Sequence, residues 1–147
     1  VQFAQIGIPI YRLGIKHQIV VSSTEVTARE PDLTVHSEAS ARVMLQQSQA
    51  LLRQNTPAPV LVVEVVSPGK PGTENYDRDY IEKRKEYAER GIPEYWLIDP
   101  ERAVVLVLQL EAQQYLEVGE FRGRDIVVSP TFSELQLTAE EVLRAGR

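Results

Sequence analysis

The sequence predicts an α/β fold in which a mixed β-sheet lies at the centre. β-rich segments stand both before and after one long helical segment. The stretch from Val60 to Val66 is aliphatic at every position except Glu64, which is typical of a strand buried on both faces. Residues 60–98 then read as strand, helix and strand, so we expect a right-handed crossover between parallel neighbours. The length of 147 residues predicts a single domain over residues 1–147.

The part of the chain before the aliphatic strand is expected to contain two strands and one helix. Residues 18–28 are β-rich and predict a strand. Residues 30–36 predict a second strand, and Pro31 suits its start or an edge position. Residues 38–53 suit a helix of weak periodicity, which the sequence TPAP then ends. The sequence SPGKPG after the aliphatic strand predicts a turn or loop.

Residues 76–90 predict the longest helix of the chain. The segment contains no Gly, Pro or Val, all of which disfavour helix interiors. Gly91 suits the position just after the last helical residue, and Pro93 prevents the helix from continuing. We therefore expect the helix to end at residue 90.

The C-terminal third is expected to hold further strands and a terminal helix. The predicted segments are a strand at 94–98, an antiparallel hairpin at 103–111 and 114–121, and a short strand at 125–129. Thr138 and Glu141 have the spacing of a capping box, in which each side chain accepts a hydrogen bond from the backbone N–H of the other residue. The last helix is therefore expected over residues 138–143.

Composition excludes several classes of protein. The chain has no cysteine, which rules out disulfides, thiolate zinc sites and a cysteine nucleophile. No apolar run approaches the roughly 20 residues of a membrane span, and no signal peptide is visible, so we predict a cytoplasmic protein. Because the chain opens with Val1, we expect upstream residues to be missing. The net charge of −5 counts against a nucleic-acid coat protein but is compatible with a metal-dependent enzyme that has a local basic groove.

Glu64 is a carboxylate inside an otherwise aliphatic strand. An ionised carboxylate in apolar surroundings is unfavourable unless it is paired, protonated, solvated or metal-bound, and pairing with an Arg or Lys is the simplest explanation. Asp32 offers a second carboxylate from another predicted strand, and the backbone carbonyl of Val65 offers a further oxygen. Such oxygen ligands suit Mg²⁺ or Mn²⁺. His36 is a further candidate ligand, although a surface histidine is the favoured interpretation.

The helix at 76–90 carries two candidate cations. At about 100° per residue, one narrow face carries Tyr76, Tyr80, Lys83 and Tyr87. Arg84 lies closer to the centre of the broader apolar stripe. Lys83 could also serve only as an i,i+4 partner of Asp79. Helix geometry alone therefore does not decide whether Lys83 or Arg84 is directed at the carboxylates.

Three stretches of the chain together resemble one family of proteins. They are EPDL at 30–33, LVVEVVSP at 61–68 and RDYIEKRKEYAERGIPEYWLIDP at 78–100. In these stretches the sequence resembles the Uma-two family of restriction-endonuclease-like proteins, which belongs to the PD-(D/E)xK nuclease superfamily. The resemblance is strong over residues 30–100 and looser over the C-terminal strands. It implies a restriction-endonuclease-like mixed β-sheet flanked by helices.

The resemblance also implies roles for individual residues. Asp32 matches the PD aspartate, and Glu64 matches the second acidic ligand. The usual lysine position, two residues after the glutamate, is Val66 here, and Lys83 matches the lysine that this family carries on the following helix. The implied catalytic residues are thus Asp32, Glu64 and Lys83. An acidic residue from a helix before the first strand has no match, so the N-terminal segment is expected to be missing or shortened.

The implied function is that of a metal-dependent endonuclease that hydrolyses phosphodiester bonds of DNA with Mg²⁺ or Mn²⁺ as cofactor. DNA is the expected partner, and such folds commonly form homodimers. Lys70 and Arg84 are candidate nucleic-acid contacts, while Tyr95 and Trp96 could stack on bases but are expected in the core. The missing strand lysine and the negative net charge favour one alternative, a catalytically inactive nuclease-fold protein that binds nucleic acid or assembles with a partner.

Overall fold

The computed structural model describes residues 13–15, 17–22, 28–47, 49 and 51–145 of the chain. The strands in this part of the chain are β1 Leu13–Gly14, β2 Gln18–Val20, β3 Ala28–Arg29, β4 Leu33–Val35, β5 Leu51–Leu52, β6 Leu61–Val65, β7 Glu94–Asp99, β8 Val104–Glu111 and β9 Gln114–Phe121. The helical segments are α1 Glu38–Leu45, α2 Glu74–Asp77, a π-helical turn Arg78–Glu82, α3 Lys83–Arg90 and α4 Ala139–Ala145. The fold is therefore α/β, as the sequence predicts.

The strands form two sheets. The larger sheet has six strands in the order β1-β4-β6-β7-β8-β9, and a smaller sheet has the order β3-β2-β5. Within the larger sheet β6 and β7 are parallel, while their outer neighbours β4 and β8 are antiparallel to them. The aliphatic strand β6 thus lies in the sheet interior, which confirms the predicted mixed sheet.

Strand β6 is buried because apolar residues cover both faces of the sheet. Leu61 and Val63 belong to one core cluster, whereas Val62 and Val66 belong to a second cluster on the other face. Side chains alternate along a strand, so Glu64 points to the same face as Val62. This face of the sheet also packs against the long helix.

The long helix connects β6 to β7 and contains an irregular turn. α2, the π-helical turn and α3 follow one another without a break over residues 74–90, which confirms the predicted helix. In the π-helical turn the backbone N–H of Lys83 bonds to the carbonyl of Arg78, five residues earlier. Gly91 ends the helix with φ 83°, a left-handed conformation that glycine adopts without a Cβ clash.

The C-terminal hairpin and the capping box also agree with the sequence. β8 and β9 pair in antiparallel register. The backbone N–H of Glu141 donates to Thr138 Oγ1 at 3.2 Å, and the N–H of Thr138 donates to Glu141 Oε1 at 3.1 Å. Both predicted halves of the capping box are therefore present at the start of α4.

The helix predicted over 38–53 is too long. α1 ends at Leu45, and Leu51–Leu52 form β5, which pairs in parallel with β2. The polar residues after Leu45 supply no apolar face to continue the helix, and the two leucines gain a sheet partner instead. The strand predicted over 18–28 is likewise shorter, since β2 spans Gln18–Val20 and residues 23–27 lie outside the described part.

The strand predicted over 125–129 is wrong. Ile126 makes only an isolated bridge with Thr138. The segment is held by a buried carboxylate instead: Ser129 Oγ donates to Glu94 Oε2 at 2.7 Å, and the N–H of Thr131 donates to Glu94 Oε1 at 2.9 Å. The expected strand ladder is therefore reduced to this one bridge, with backbone bonds from the Val127 N–H to the Leu137 carbonyl and from the Ala139 N–H to the Asp125 carbonyl, and side-chain hydrogen bonds hold the end of the segment.

None of the helices among the described residues has the length and apolar character needed to cross a membrane.

Candidate active site

Asp32 and Glu64 meet at one end of the large sheet. The ladder between β4 and β6 pairs Leu33 with Val63. Continuing this antiparallel register by one residue places Asp32 opposite Glu64, and directly opposed side chains lie on the same face of a sheet. Asp32 Oδ2 also accepts a hydrogen bond of 2.7 Å from the backbone N–H of Val65. The two predicted acidic residues are therefore neighbours across adjacent strands.

Glu64 is almost completely buried, with 2% of its surface exposed. Its Oε2 accepts a hydrogen bond of 2.7 Å from the Tyr87 hydroxyl and lies 3.0 Å from Lys83 Nζ. Burial raises the pKa of Glu64 to about 7, the ammonium of Lys83 and the hydroxyl of Tyr87 oppose this rise, and repulsion by Asp32 adds to it. The Glu64 carboxyl can therefore exchange a proton near neutral pH.

Lys83 is the helix cation that reaches the carboxylates. Its Nζ lies 3.0 Å from Glu64 Oε2 and 3.1 Å from Asp79 Oδ1, so the ammonium bridges a strand and its own helix. Arg84 points elsewhere, because its Nη2 donates to the backbone carbonyl of Tyr115 at 3.1 Å. The geometry thus distinguishes two cations that the helical projection leaves equivalent.

Asp79 and Arg78 join the cluster although the sequence did not single them out as site residues. Asp79 is 1% exposed, and its Oδ2 accepts a hydrogen bond of 3.3 Å from the N–H of Ser67, just beyond β6. Arg78 Nη2 donates to Ser67 Oγ at 3.2 Å. The spacing of Asp79 and Lys83 was the available signal, but it indicated only an i,i+4 surface pair.

Lys70 and Arg84, the candidate nucleic-acid contacts, lie in different parts of the molecule. Lys70 is exposed in the loop after β6, and its side chain has no ion pair among the described residues. Arg84 lines a groove of about 780 Å³ between α3 and the β8–β9 turn, together with Lys85 and Gln114. Neither residue contacts the Glu64 carboxylate directly. Their contact with nucleic acid therefore stays a prediction.

His36 is buried, so the favoured interpretation as a surface histidine is wrong. Its Nε2 lies 2.9 Å from His17 Nδ1, and its Nδ1 lies 3.0 Å from Ser40 Oγ. Burial also lowers the pKa of His17. These ring contacts give His36 a role in the packing of the α1 N-terminus, away from the carboxylate pair.

Tyr95 and Trp96 belong to the core, as expected. The Tyr95 hydroxyl donates to the backbone carbonyl of Asp79 at 3.0 Å, and Trp96 Nε1 donates to Glu94 Oε2 at 2.6 Å. Tyr87 is also fully buried and stands edge-on to Tyr95, with ring centroids 5.2 Å apart. These three aromatic side chains are therefore buried in the core and are not available to stack on bases.

A hard divalent cation needs oxygen ligands. The described residues include no cluster of three or more His, Cys, Asp or Glu side chains that could hold a metal ion. Mg²⁺ is commonly held by one or two carboxylates, with water and substrate phosphate completing its coordination. Asp32 and Glu64 fit this limited requirement. The backbone N–H of Val65 donates a hydrogen bond to Asp32 Oδ2. That the backbone carbonyl of Val65 is a metal ligand stays a prediction.

Comparison with known proteins agrees with this architecture. Residues 9–140 match the Uma2 family model, whose description is "Putative restriction endonuclease". A solved structure described as a putative nuclease belonging to DUF820 from Anabaena variabilis ATCC 29413 is similar, with a TM-score of 0.57 and 20% sequence identity over 90% of this chain and 68% of that chain. No curated protein matches the chain. At 20% identity the likeness to the solved structure shows the fold alone. The family model covers most of the sequence, and the chain therefore belongs to the Uma2 family.

Proposed function

We propose that this protein is a metal-dependent endonuclease that hydrolyses phosphodiester bonds of DNA. The proposal depends on one observation. The Lys83 ammonium lies 3.0 Å from the carboxylate of Glu64, and Glu64 lies opposite Asp32 on the neighbouring strand. An acidic pair with an adjacent fixed cation matches the needs of phosphodiester hydrolysis, which requires a metal site and stabilisation of developing negative charge. The family description and the nuclease-like fold point to the same class of reaction.

Asp32 and Glu64 would hold Mg²⁺ or Mn²⁺ at the end of the sheet. When bound, the cation would lower the pKa of a coordinated water and offset the charge of the scissile phosphate. Asp32 is exposed and can be approached from solvent, whereas Glu64 is anchored by Tyr87. The pair thus combines one accessible ligand with one ligand of fixed orientation.

Lys83 would act on the phosphate. Its ammonium is oriented by two carboxylates, so little side-chain reorganisation is needed before it donates a hydrogen bond to a phosphate oxygen. Negative charge on that oxygen grows in the transition state, which makes the interaction stronger there than in the ground state. Lys70 would contact the DNA backbone from the adjacent loop, and Arg84 would do so from the groove between α3 and the β8–β9 turn.

One observation favours a second candidate function, a nuclease-fold protein that binds nucleic acid or a partner without cleaving it. The described part of the chain provides only the Asp32–Glu64 pair and no third acidic or histidine ligand beside it. Val66 occupies the position at which the superfamily usually carries its lysine. This candidate predicts DNA binding without metal-dependent strand cleavage.

Plasmid nicking separates the two functions. Wild-type protein is incubated with supercoiled plasmid and Mg²⁺ or Mn²⁺, beside the variants Lys83→Met and Arg84→Met. We expect Lys83→Met to lose nearly all nicking through kcat, whereas Arg84→Met, which removes a helix cation that would contact only the DNA backbone, should raise KM and keep kcat. Nicking by Lys83→Met at the wild-type rate would refute the assigned role of Lys83. A wild-type protein that binds DNA but nicks neither DNA nor RNA would support the non-cleaving alternative.

A further inference from the structure

Asp79 is a buried carboxylate that binds neither the metal nor the substrate in the proposed reaction. It lies one turn before Lys83, and 1% of its surface is exposed. Its Oδ1 is 3.1 Å from Lys83 Nζ and 3.6 Å from Arg78 Nε. Its Oδ2 accepts the hydrogen bond from the Ser67 N–H. Both oxygens are therefore directed at the helix and at the end of β6.

We infer that Asp79 is a positioning residue, which holds the Lys83 ammonium at the Glu64 carboxylate. This inference rests on the proposed function. The ammonium of a lysine stands on a flexible four-carbon stem, so a single ion pair fixes its direction poorly. Two carboxylates on opposite elements restrict the ammonium to the space between them. Asp79 supplies the anchor from the helix, and Glu64 supplies the anchor from the strand.

The surroundings of Asp79 are themselves fixed. The Tyr95 hydroxyl donates to the backbone carbonyl of Asp79 at 3.0 Å, which ties this point of the helix to β7. The Ser67 N–H ties the side chain to the residues that follow β6. Asp79 is therefore bound to β7 and to the residues that follow β6.

The same residues occupy the π-helical turn. Asp79 lies within this turn, and the backbone N–H of Lys83 closes its bond to Arg78. π-helical turns are rare, and they occur frequently at functional sites. Here the irregular turn sets the position of Asp79 relative to Lys83.

Asp79 also has an electrostatic role that Glu64 cannot fill. A divalent cation on Glu64 would repel the neighbouring ammonium and weaken its ion pair with that carboxylate. Asp79 is held by Lys83, Arg78 and the Ser67 amide, so it continues to balance the charge of Lys83. With Asp79 present, the metal and the ammonium can occupy the site together.

The test uses Asp79→Asn, which keeps the side-chain shape and the oxygen facing Ser67 while it removes the charge. Asp77→Asn is the matched control, since the Asp77 side chain has no ion pair among the described residues. The chain has four lysines, so the ammonium signal of Lys83 can be assigned in ¹⁵N-lysine-labelled protein with a Lys83→Arg variant. We expect a slowly exchanging Lys83 signal in wild type and in Asp77→Asn, and its loss in Asp79→Asn.

The kinetic expectation follows from the same geometry. Asp79→Asn should lower kcat for plasmid nicking by about 10- to 100-fold, as loss of a supporting residue commonly does, with little change in KM. An unchanged Lys83 signal and unchanged kcat in Asp79→Asn would overturn the inference.

Two further measurements test the inference even if the variant does not fold or the proposed nuclease function fails. If Asp79→Asn does not fold, scalar couplings across hydrogen bonds in the wild-type protein decide the matter. Coupling of Lys83 Nζ to the carboxyl carbon of Asp79 supports the inference, and coupling to Glu64 alone overturns it. If wild-type protein does not nick any nucleic acid, the proposed nuclease function fails, whereas the ammonium signal still tests whether Asp79 positions Lys83.

Discussion

Glu64 should make the stability of the protein depend on pH. Its pKa is raised by burial to about 7 in the folded state, and its ordinary value is 4.5. The folded state therefore binds the proton more tightly than the unfolded state. The stabilisation from this group is fully present below pH 4.5 and is lost as the pH rises through 7. At about 1.4 kcal/mol per pH unit, the loss is on the order of 3 kcal/mol.

We expect Glu64→Gln to remove this part of the pH dependence. Urea denaturation in EDTA at pH 5 and pH 8 measures the change in the free energy of unfolding. Glu117→Gln, at an exposed position of β9, is the matched control. The lowered pKa of His17 acts in the opposite direction, but it is present in all three proteins. Equal pH dependence in wild type and Glu64→Gln would contradict the assigned environment of Glu64.

Individual site residues were predictable to different degrees. Asp32 and Glu64 are predictable because a carboxylate in an aliphatic or β-rich stretch is conspicuous, whereas only the family resemblance distinguishes Lys83 from Arg84. A regular helical projection could not make that choice, since it contains no π-helical turn. Asp79 was overlooked because its burial results from tertiary contacts with Ser67 and β7, which local spacing does not encode.

At the scale of elements, continuous aliphatic runs and Gly or Pro boundaries predicted the long helix and the strands around it. These signals are local, so β6, β7 and the β8–β9 hairpin were found near their observed positions. β5 could not be predicted in the same way, because two residues carry no periodicity and their pairing with β2 joins distant parts of the chain. The crossover joins parallel strands as expected, and its right-handedness stays a prediction.

The segment after β9 should depend on Glu94 for its order. Glu94 accepts hydrogen bonds from the buried side chains of Trp96 and Ser129 and from the backbone N–H of Thr131. Glu94→Ala would remove these hydrogen bonds, at a cost of about 1–3 kcal/mol for each buried donor. Ser129→Ala removes two hydrogen bonds, the one to Glu94 and the one that Ser129 Oγ accepts from the Phe132 N–H at 3.0 Å, and should cost about 2 kcal/mol.

Urea denaturation and amide hydrogen exchange measure this effect. In Glu94→Ala we expect the N–H of Val127, which donates to the Leu137 carbonyl at 2.8 Å, to exchange faster than in Ser129→Ala. Faster exchange throughout the sheet, with no preference for residues 125–138, would show that Glu94 supports the whole fold and not this segment. Equal stability of the two variants would contradict a central role for the carboxylate.

At the scale of the whole molecule, the net charge of −5 must be reconciled with the polyanionic substrate that the proposed function requires. In the proposed function the acidic residues of the site would hold the cation, and a bound cation would reverse the local charge that a phosphate meets. The ammonium of Lys83 adds to this local field from 3.0 Å away. Overall charge therefore says little about DNA binding here, and the metal should control both binding and stability. Homodimerisation and a cytoplasmic location stay predictions.

Metal binding should raise the melting temperature of the whole protein through the Asp32–Glu64 pair. A ligand that binds only the folded state at 100 times its Kd adds about 2.7 kcal/mol of stability. Without metal, Asp32→Asn should melt close to wild type, because Asp32 is exposed and asparagine can still accept the bond from the Val65 N–H. With Mg²⁺ or Mn²⁺, the variant should lose most of the increase in melting temperature, whereas Asp77→Asn should retain it.

The wild-type increase in melting temperature should be larger at pH 8 than at pH 6, because a proton on Glu64 competes with the cation below its pKa of about 7. An Asp32→Asn variant that gains as much as wild type would place the metal elsewhere in the molecule.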